Sequence, residues 1–177
     1  LFDSKGIDLL QKAFSDLMKL NIQFIVLGTG DSKYHSFFEK MAMKHSDKFA
    51  VYLGFNDELA HLIEAGSDLF LMPSKYEPCG LNQMYSLAYG TVPIVRETGG
   101  LADTVIKYNE KTEEGTGFVF KKYDSVEMLK EIKRAVKVFN NKKVWQKIMR
   151  NGMKMDFSWD VSARQYIELY KSMITAE

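Results

Sequence analysis

Two short apolar runs, separated by small residues and one carboxylate, constrain the fold more than any other part of the sequence. The runs are Leu69 to Met72 and Val92 to Val95; Glu77 follows the first, and Cys79 and Gly80 stand where a helix would begin. Short buried runs alternating with helical segments are typical of an open, parallel α/β sheet. Ligands of such sheets bind at the carboxyl ends of strands, beside free N–H groups of helix N-termini. We therefore expect a site for an anionic or hydroxyl-rich ligand near Glu77.

The same alternation of strand and helix patterns continues along most of the chain. Strands are predicted at Phe24 to Leu27, Phe49 to Leu53, Leu69 to Met72, Val92 to Val95 and Phe118 to Phe120. Helices are predicted from the spacing of Leu9, Leu10, Ala13, Phe14, Leu17 and Leu20, then at Ser32 to Lys44, Asp57 to Ala65, Leu81 to Ala88, Ser125 to Phe139, Lys142 to Gly152 and Asp160 to Met173. This order predicts an α/β fold with a Rossmann-like parallel sheet, helices on both faces and right-handed crossovers.

Size and composition favour one globular domain over residues 1–177, or one half of a larger enzyme. The chain is 46% hydrophobic, and its 24 basic and 23 acidic residues leave a net charge of +1. That balance gives no electrostatic reason to expect nucleic acid or an anionic membrane as a partner. Because Cys79 is the single cysteine, an internal disulfide is excluded. Without a secretory signal at Leu1 we expect a cytosolic protein, and the start at Leu1 rather than methionine suggests a fragment.

Glu77 is the leading candidate for chemistry. Pro78 favours an extended backbone at Glu77, and the helix expected just beyond would place the carboxylate over a helix N-terminus. A sugar hydroxyl would fit between the two. The alternative is a solvated loop acid or a helix cap.

Cys79 and Lys5 each allow a chemical and a plain interpretation. Cys79 is a conceivable nucleophile, but no histidine lies near it in sequence, and a buried thiol is the commoner fate of a lone cysteine. Lys5, before Gly6 and the first helix, would bring an ammonium group to a phosphate or simply remain in water.

Glycine turns follow two of the predicted strands. Gly28-Thr29-Gly30 lacks the third glycine of a dinucleotide fingerprint, so we do not predict NAD or another cofactor. Thr98-Gly99-Gly100 lets the backbone approach a ligand closely, or serves only as a strand-to-helix turn. Phe55, after Gly54, would stack on a base or cover the core.

The remaining aromatic and histidine residues favour structural roles. His61 shows no ligand spacing with His35 or His45, so we predict no metal site and expect a packed or surface residue. Trp145 and Trp159, like the pair Phe37-Phe38, are expected to pack in the core.

Four segments together resemble one known family, the bacterial glycogen synthases and plant starch synthases. The segments are Lys5 to Leu10, Pro73 to Leu81, Tyr89 to Pro93 and Thr98 to Val105. The resemblance extends from Lys5 to about Phe120 and more loosely over the terminal helices. Members of this family are retaining GT-B glycosyltransferases that extend α-1,4-glucan from ADP-glucose.

The resemblance implies that residues 1–177 form the C-terminal, nucleotide-sugar-binding half of a GT-B enzyme. The acceptor-binding domain with its own catalytic histidine, and the first strand of this half, would lie outside the chain. The implied partners are ADP-glucose or ADP and, through the missing domain, an α-1,4-glucan. The implied location is the cytoplasm, or a plastid if the source is a plant or alga.

The resemblance also implies roles for individual residues. Lys5 would contact the donor's phosphates, and Glu77 would hold glucose hydroxyls and support the developing oxocarbenium charge. Backbone N–H groups would meet the glucose hydroxyls. The other implied contacts are the N–H groups of Cys79, Gly80 and Leu81, Asn82 near phosphate or ribose, Phe55 with Gly54 against adenine, and Thr98, Gly99 and Gly100 beside the ligand.

The sequence departs from the family's pattern in specific places. Tyr85 stands eight positions after Glu77, where related sucrose-type transferases have a ribose-binding glutamate, and this favours the starch and glycogen branch. Asn82 stands where many relatives have threonine, and the arginine expected before Lys5 is absent. Two alternatives stay open: a non-catalytic nucleotide- or glucan-binding module, and a transferase that uses UDP-glucose.

Overall fold

The computed structural model describes residues 1–174, which form helices and parallel strands in alternation. The helices are α1 Ile7–Leu17, α2 Ser32–Lys44, α3 Asp57–Gly66, α4 Asn82–Tyr89, α5 Gly99–Thr104, α6 Ser125–Phe139, α7 Lys142–Met153 and α8 Trp159–Ile174. The strands are β1 Phe24–Gly28, β2 Phe49–Leu53, β3 Leu69–Met72, β4 Val92–Arg96 and β5 Phe118–Phe120. Apart from α5, where only a strand-to-helix turn was predicted, these bounds agree with the sequence prediction within a few residues, and the predicted α/β class is confirmed.

The described strands form two parallel ladders rather than one continuous sheet. β1 pairs with β2, while β4 lies between β3 and β5. Phe24 is opposite Phe49 in the first ladder, and Leu69 is opposite Val92 in the second. Because the strands of each ladder are parallel, their carboxyl ends share one edge, and the turns that follow β3 and β4 lie side by side there.

An aromatic cluster packs the helices against the first ladder. The ring of Phe14 on α1 lies 4.9 Å from that of Phe49 and 5.4 Å from that of Phe37, both in edge arrangements. Phe14 and Phe38 are fully buried. The predicted packing role of the Phe37-Phe38 pair is therefore confirmed, and edge-on ring contacts add to the hydrophobic term.

The two tryptophans have opposite surroundings. Trp145 on α7 is buried and stacks on Phe118 of β5 at 6.2 Å, as expected of a core residue. Trp159 opens α8 and is 87% exposed, so the prediction that it packs in the core was wrong. The reason is that no described residue of α8 is buried against residues 1–174.

Helix starts follow local capping chemistry. The side chain of Asn56 accepts a hydrogen bond from the backbone N–H of Leu59 at 2.9 Å, which fixes the start of α3 as the sequence indicated. Asp124 accepts from the N–H groups of Val126 and Glu127 and so caps α6. Among the described helices, none is long and apolar enough to cross a bilayer.

Candidate functional site

A lysine and a buried glutamate from distant parts of the chain meet at the carboxyl end of β3. Lys5 Nζ lies 2.6 Å from Glu77 Oε2, and Ser74 Oγ donates to the same oxygen at 3.1 Å. Glu77 is only 7% exposed, whereas the lysine side chain is half exposed. Within residues 1–174, Glu77 Oε1 has no hydrogen-bond partner, so one carboxylate oxygen is left for a ligand hydroxyl.

Gly6 allows the segment before α1 to lie directly on the loop after β3. Its φ of +74° is in the left-handed region, and a Cβ at this position would overlap the carbonyl oxygen of Pro73. The backbone N–H of Lys75 also donates to the carbonyl of Ser4 at 2.8 Å. These contacts bring Lys5 within reach of Glu77 across a large sequence separation.

The 3₁₀ turn Asp3–Lys5 is anchored from α2. Lys33 Nζ lies 2.9 Å from Asp3 Oδ1, and the hydroxyl of Tyr34 donates to the same carboxylate. The bond to Lys33 lowers the pKa of Asp3, and burial together with the bond to Asp3 raises the pKa of Tyr34 to about 12. At neutral pH this anchor therefore keeps its charges, and it fixes the turn that carries Lys5.

Arg96, at the end of β4, holds the loop that carries Glu77. Its Nε donates to the carbonyl of Ser74 at 2.8 Å, and its Nη2 donates to the carbonyl of Lys75. The guanidinium also lies 5.7 Å from the ring of Tyr123. A planar guanidinium suits two neighbouring carbonyls, so Arg96 fixes the loop rather than acting as a free cation.

Gly99 and Gly100 lie against the same loop from the side of α5. The N–H of Gly100 donates to the carbonyl of Glu77 at 3.0 Å. A Cβ on Gly99 would overlap that carbonyl, and a Cβ on Gly100 would overlap the carbonyl of Cys79. Both glycines therefore permit a close approach of two backbones, and Thr98 is the residue before α5, so the structural interpretation of this turn holds.

The start of α4 presents unused backbone donors beside Glu77. The helix begins at Asn82, one residue later than predicted, and Gly80 has a φ of +74°. No hydrogen bond within residues 1–174 uses the backbone N–H of Cys79, Gly80 or Leu81. Buried Gln83 holds this turn through bonds from Nε2 to the carbonyls of Cys79 and Gly80, each 3.0 Å. Such a turn can receive hydroxyl or phosphate oxygens.

Cys79 differs from the sequence expectation. The thiol was expected to be buried, but Cys79 is exposed. The reason is that Cys79 lies in the irregular loop before α4, beside exposed Pro78, and is not part of a helix or strand that would pack its side chain into the core.

Asn82 is joined to α3 rather than standing free. Its Nδ2 donates to Glu64 Oε1 at 2.6 Å, and Glu64 is 3% exposed. Burial raises the pKa of Glu64, while the bond from Asn82 and the nearby His61 act in the opposite direction. His61 itself contacts aromatic rings, with Nδ1 3.1 Å from the hydroxyl of Tyr89 and its ring 5.3 Å from Tyr85.

Phe55 lies at the end of β2, on the turn that begins with Gly54. The ring is 85% exposed, which excludes the alternative that it covers the core. Among the described residues it makes no ring contact, so its face is open to a planar group. Within residues 1–174, no hydrogen bond joins Phe55 to the Glu77 loop.

Sequence reasoning missed four residues that shape this site: Ser74, Arg96, Gln83 and Glu64. Ser74 lies inside the segment Pro73 to Leu81 and could have been predicted from the sequence. A hydroxyl three residues before a carboxylate is close enough to donate a hydrogen bond to that carboxylate. The other three act from separate elements, and no local pattern marks them. Among the described residues, no group of three or more His, Cys, Asp or Glu side chains is placed to hold a metal ion.

A parallel α/β fold with a buried acid, a lysine and open backbone donors at its strand ends defines a class of protein: α/β domains whose strand ends offer groups suited to an anionic or hydroxyl-rich ligand. The profile of the family described as "Glycosyl transferases group 1" matches residues 1–155. The chain belongs to this family of glycosyltransferases.

Individual relatives agree with this assignment. The chain is 52% identical over 174 residues to a glycogen synthase of Bacillus cereus, covering 98% of this chain and 37% of that protein. It is similar to the catalytic domain of starch synthase IV from Arabidopsis thaliana bound to ADP and acarbose, with 34% identity, a TM-score of 0.85, and 99% and 37% of the two chains covered. Sucrose-phosphate synthase from Thermosynechococcus elongatus matches at 22% identity and a TM-score of 0.70, covering 99% of this chain and 44% of that one, and shows the fold alone.

The resemblance drawn from the sequence motifs is confirmed by these comparisons. The chain spans little more than a third of the length of the glycogen synthases it matches. The fold is that of GT-B glycosyltransferases, as the motifs implied.

Proposed function

We propose that this chain is the donor-binding half of a retaining glucosyltransferase that transfers glucose from ADP-glucose to the non-reducing end of an α-1,4-glucan. The observation that carries the proposal is the contact of 2.6 Å between Lys5 and buried Glu77, beside the open N–H groups that precede α4. The identity to glycogen synthases and the likeness to a starch synthase bound to ADP support the choice of reaction and donor.

Each residue has a distinct task in this proposal. The free oxygen of Glu77 accepts a hydrogen bond from a glucose hydroxyl. The negative charge of the Glu77 carboxylate stabilises the oxocarbenium-like transition state. Lys5 turns from the carboxylate towards the donor's phosphates, which its half-exposed side chain allows. The N–H groups of Cys79, Gly80 and Leu81 bind glucose hydroxyls.

The nucleotide occupies the neighbouring turns. Phe55, which follows Gly54, stacks on the adenine through its exposed face. Asn82 lies near the ribose or the phosphates. The turn Thr98 to Gly100 lies beside the ligand and holds the loop through the hydrogen bond from the N–H of Gly100 to the carbonyl of Glu77.

The transfer takes place on one face of the sugar. The bond between the glucose C1 and the phosphate oxygen breaks, and ADP leaves with the electron pair. The acceptor hydroxyl forms a new bond to C1 from the same face and passes its proton to the leaving phosphate. Configuration is therefore retained, and no nucleophilic side chain is required.

The glucan acceptor and a catalytic histidine belong to a second domain in this proposal. The support is that the relatives are nearly three times as long as the matched region. We infer a cytoplasmic location, because a charged nucleotide-sugar does not cross a membrane unaided and the donor must be made in the same compartment.

Replacement of Glu77 by alanine in the full-length protein tests the proposal. We expect turnover to fall about 10²-fold or more, because an electrostatic group that acts in the transition state is lost. Glucan elongation from ADP-glucose is measured at saturating donor, and circular dichroism checks the fold. Asp16→Ala, which removes an exposed acid from α1, is the matched control. Near-normal turnover of the Glu77 variant would reduce this glutamate to a structural residue.

A further inference from the structure

Glu64, which is buried, and Asn82, which is exposed, form a pair whose arrangement no sequence motif explains. Glu64 lies on α3 and is 3% exposed, and its Oε1 accepts from Asn82 Nδ2 at 2.6 Å. Its second oxygen, Oε2, is buried and has no hydrogen-bond partner in residues 1–174. Burying a carboxyl group with one oxygen unpartnered costs free energy, so the pair is not what stability alone would favour.

The bond to Glu64 decides which polar group of the Asn82 amide is left for a ligand. A carboxamide has a donor group, NH₂, and an acceptor, the carbonyl oxygen. With Nδ2 donating to Glu64, the oxygen Oδ1 is the remaining polar atom of the amide, and no group in residues 1–174 donates to it. Asn82 is an exposed residue next to the open N–H groups before α4. It therefore presents an acceptor to the site.

An exposed acceptor selects for hydroxyl groups and against phosphate oxygens. At neutral pH a diphosphate is largely deprotonated, so its oxygens accept hydrogen bonds. A sugar hydroxyl, in contrast, can donate one. The free N–H donors of Cys79 to Leu81 suit oxygen acceptors, so the two sides of the turn differ in chemistry. This difference would fix the direction in which a nucleotide-sugar lies across the turn.

We propose that Glu64 is a positioning residue that holds Asn82 with its carbonyl oxygen towards the donor, so that Asn82 accepts a hydrogen bond from a sugar hydroxyl. The inference rests on the proposed function and deepens it. The hydroxyl belongs either to the ribose of the nucleotide or to the transferred glucose, and the two sources are separated by the choice of ligand.

Calorimetry and kinetics on the full-length protein test this pair. If the hydroxyl is on the ribose, Asn82→Ala and Glu64→Ala each weaken ADP binding about tenfold, and the loss disappears with 2′-deoxy-ADP or 3′-deoxy-ADP. If the hydroxyl is on the glucose, ADP binds the variants normally and KM for ADP-glucose rises about tenfold. Either result supports the proposal, and unchanged ADP affinity together with unchanged KM overturns it.

A conservative variant and a double variant separate positioning from mere packing. Glu64→Gln keeps an acceptor for Asn82 Nδ2 and should restore wild-type binding. The double variant Glu64→Ala/Asn82→Ala should bind no more weakly than Asn82→Ala, because Glu64 acts only through Asn82. A further loss in the double variant, or no rescue by glutamine, contradicts the proposal. Because Asn82 is exposed, its variant remains informative even if Glu64→Ala does not fold.

A matched control and a reference variant complete the design. Glu131 on α6 is also a buried acid with a bond of 2.6 Å, in its case to Arg134, and Glu131→Ala should leave ADP binding and KM unchanged. Lys5→Ala reports on the proposed function itself. If the wild-type protein does not bind ADP or does not respond to the loss of Lys5, the proposed function fails. If the wild-type protein binds ADP and Lys5→Ala weakens that binding, but the Glu64 and Asn82 variants change neither ADP affinity nor KM, only this inference fails.

Discussion

At the residue scale, the site depends on residues that have no side chain. Gly6, Gly99 and Gly100 lie where a Cβ would overlap a backbone carbonyl of the loop from Pro73 to Cys79. Each therefore lets one backbone segment approach another to a distance that no other residue permits. The position of the Glu77 carboxylate is set as much by these glycines as by the groups that bind it.

Gly99→Ala is predicted to destabilise the protein and displace Glu77. The φ of Gly99 is +44°, and the added Cβ overlaps the carbonyl oxygen of Glu77, so we expect a loss of about 2 kcal/mol in the free energy of unfolding. Denaturant unfolding measures the loss. Gly66→Ala is the control, because a Cβ there meets nothing within 4 Å and should change stability by less than about 1 kcal/mol. Equal stabilities for the two variants would contradict the prediction.

At the element scale, the strands form two separate parallel ladders, and this separation needs an explanation. β1 pairs only with β2, and β3 pairs only with β4, within the described chain. The motifs imply a strand before Lys5 that is an inner strand of this fold. We propose that this strand lies between β1 and β3 and joins the two ladders into one sheet.

A chain that begins about ten residues earlier in the same protein should therefore melt at a higher temperature. The added strand would pair with both ladders and satisfy backbone groups at two open edges. Differential scanning calorimetry on the two chains measures the difference. A third chain with proline at the centre of the added segment is the control, since proline removes a ladder hydrogen bond and should cancel the gain. Equal melting temperatures for all three chains would show that the added segment forms no such strand.

At the scale of the whole molecule, residues 1–174 contain a cluster of candidate donor-binding groups and a C-terminal helix, α8, that buries none of its described residues. The described residues of α8 are all exposed or half-buried, Trp159 and Tyr170 among them. The glycogen synthases that match this chain are much longer than the matched region. These facts support a division of labour in which donor and acceptor are bound by different domains.

The isolated chain is predicted to bind ADP without elongating glucan. Donor groups are present, but the proposed acceptor domain and its histidine are not, so the reacting groups cannot be brought together. Calorimetry with ADP, UDP and a maltooligosaccharide is run beside an assay of glucan elongation. Stronger binding of UDP than of ADP would favour UDP-glucose as the donor. Glucan binding without nucleotide binding would support the non-catalytic module. Measurable elongation would contradict the division between domains.

The sequence alone determined the elements, the fold class and the residues of the central motif. Apolar periodicity placed β2, β3 and β5 at their exact bounds, because buried strands and amphipathic helices need fixed spacings of apolar side chains. The motif from Pro73 to Leu81 marked Glu77 as a candidate, and the family was identified from the same local segments. These features depend on neighbours in sequence, so they can be read from it.

Only the tertiary structure decided which distant groups meet. The contact of Lys5 with Glu77, the hold of Arg96 on the loop and the bond between Glu64 and Asn82 each join separate elements. The exposure of Cys79 and of Trp159 was also decided there, against expectation. Spacing along the chain limits the face on which a side chain lies, but which side chain packs opposite it depends on the packing of whole elements.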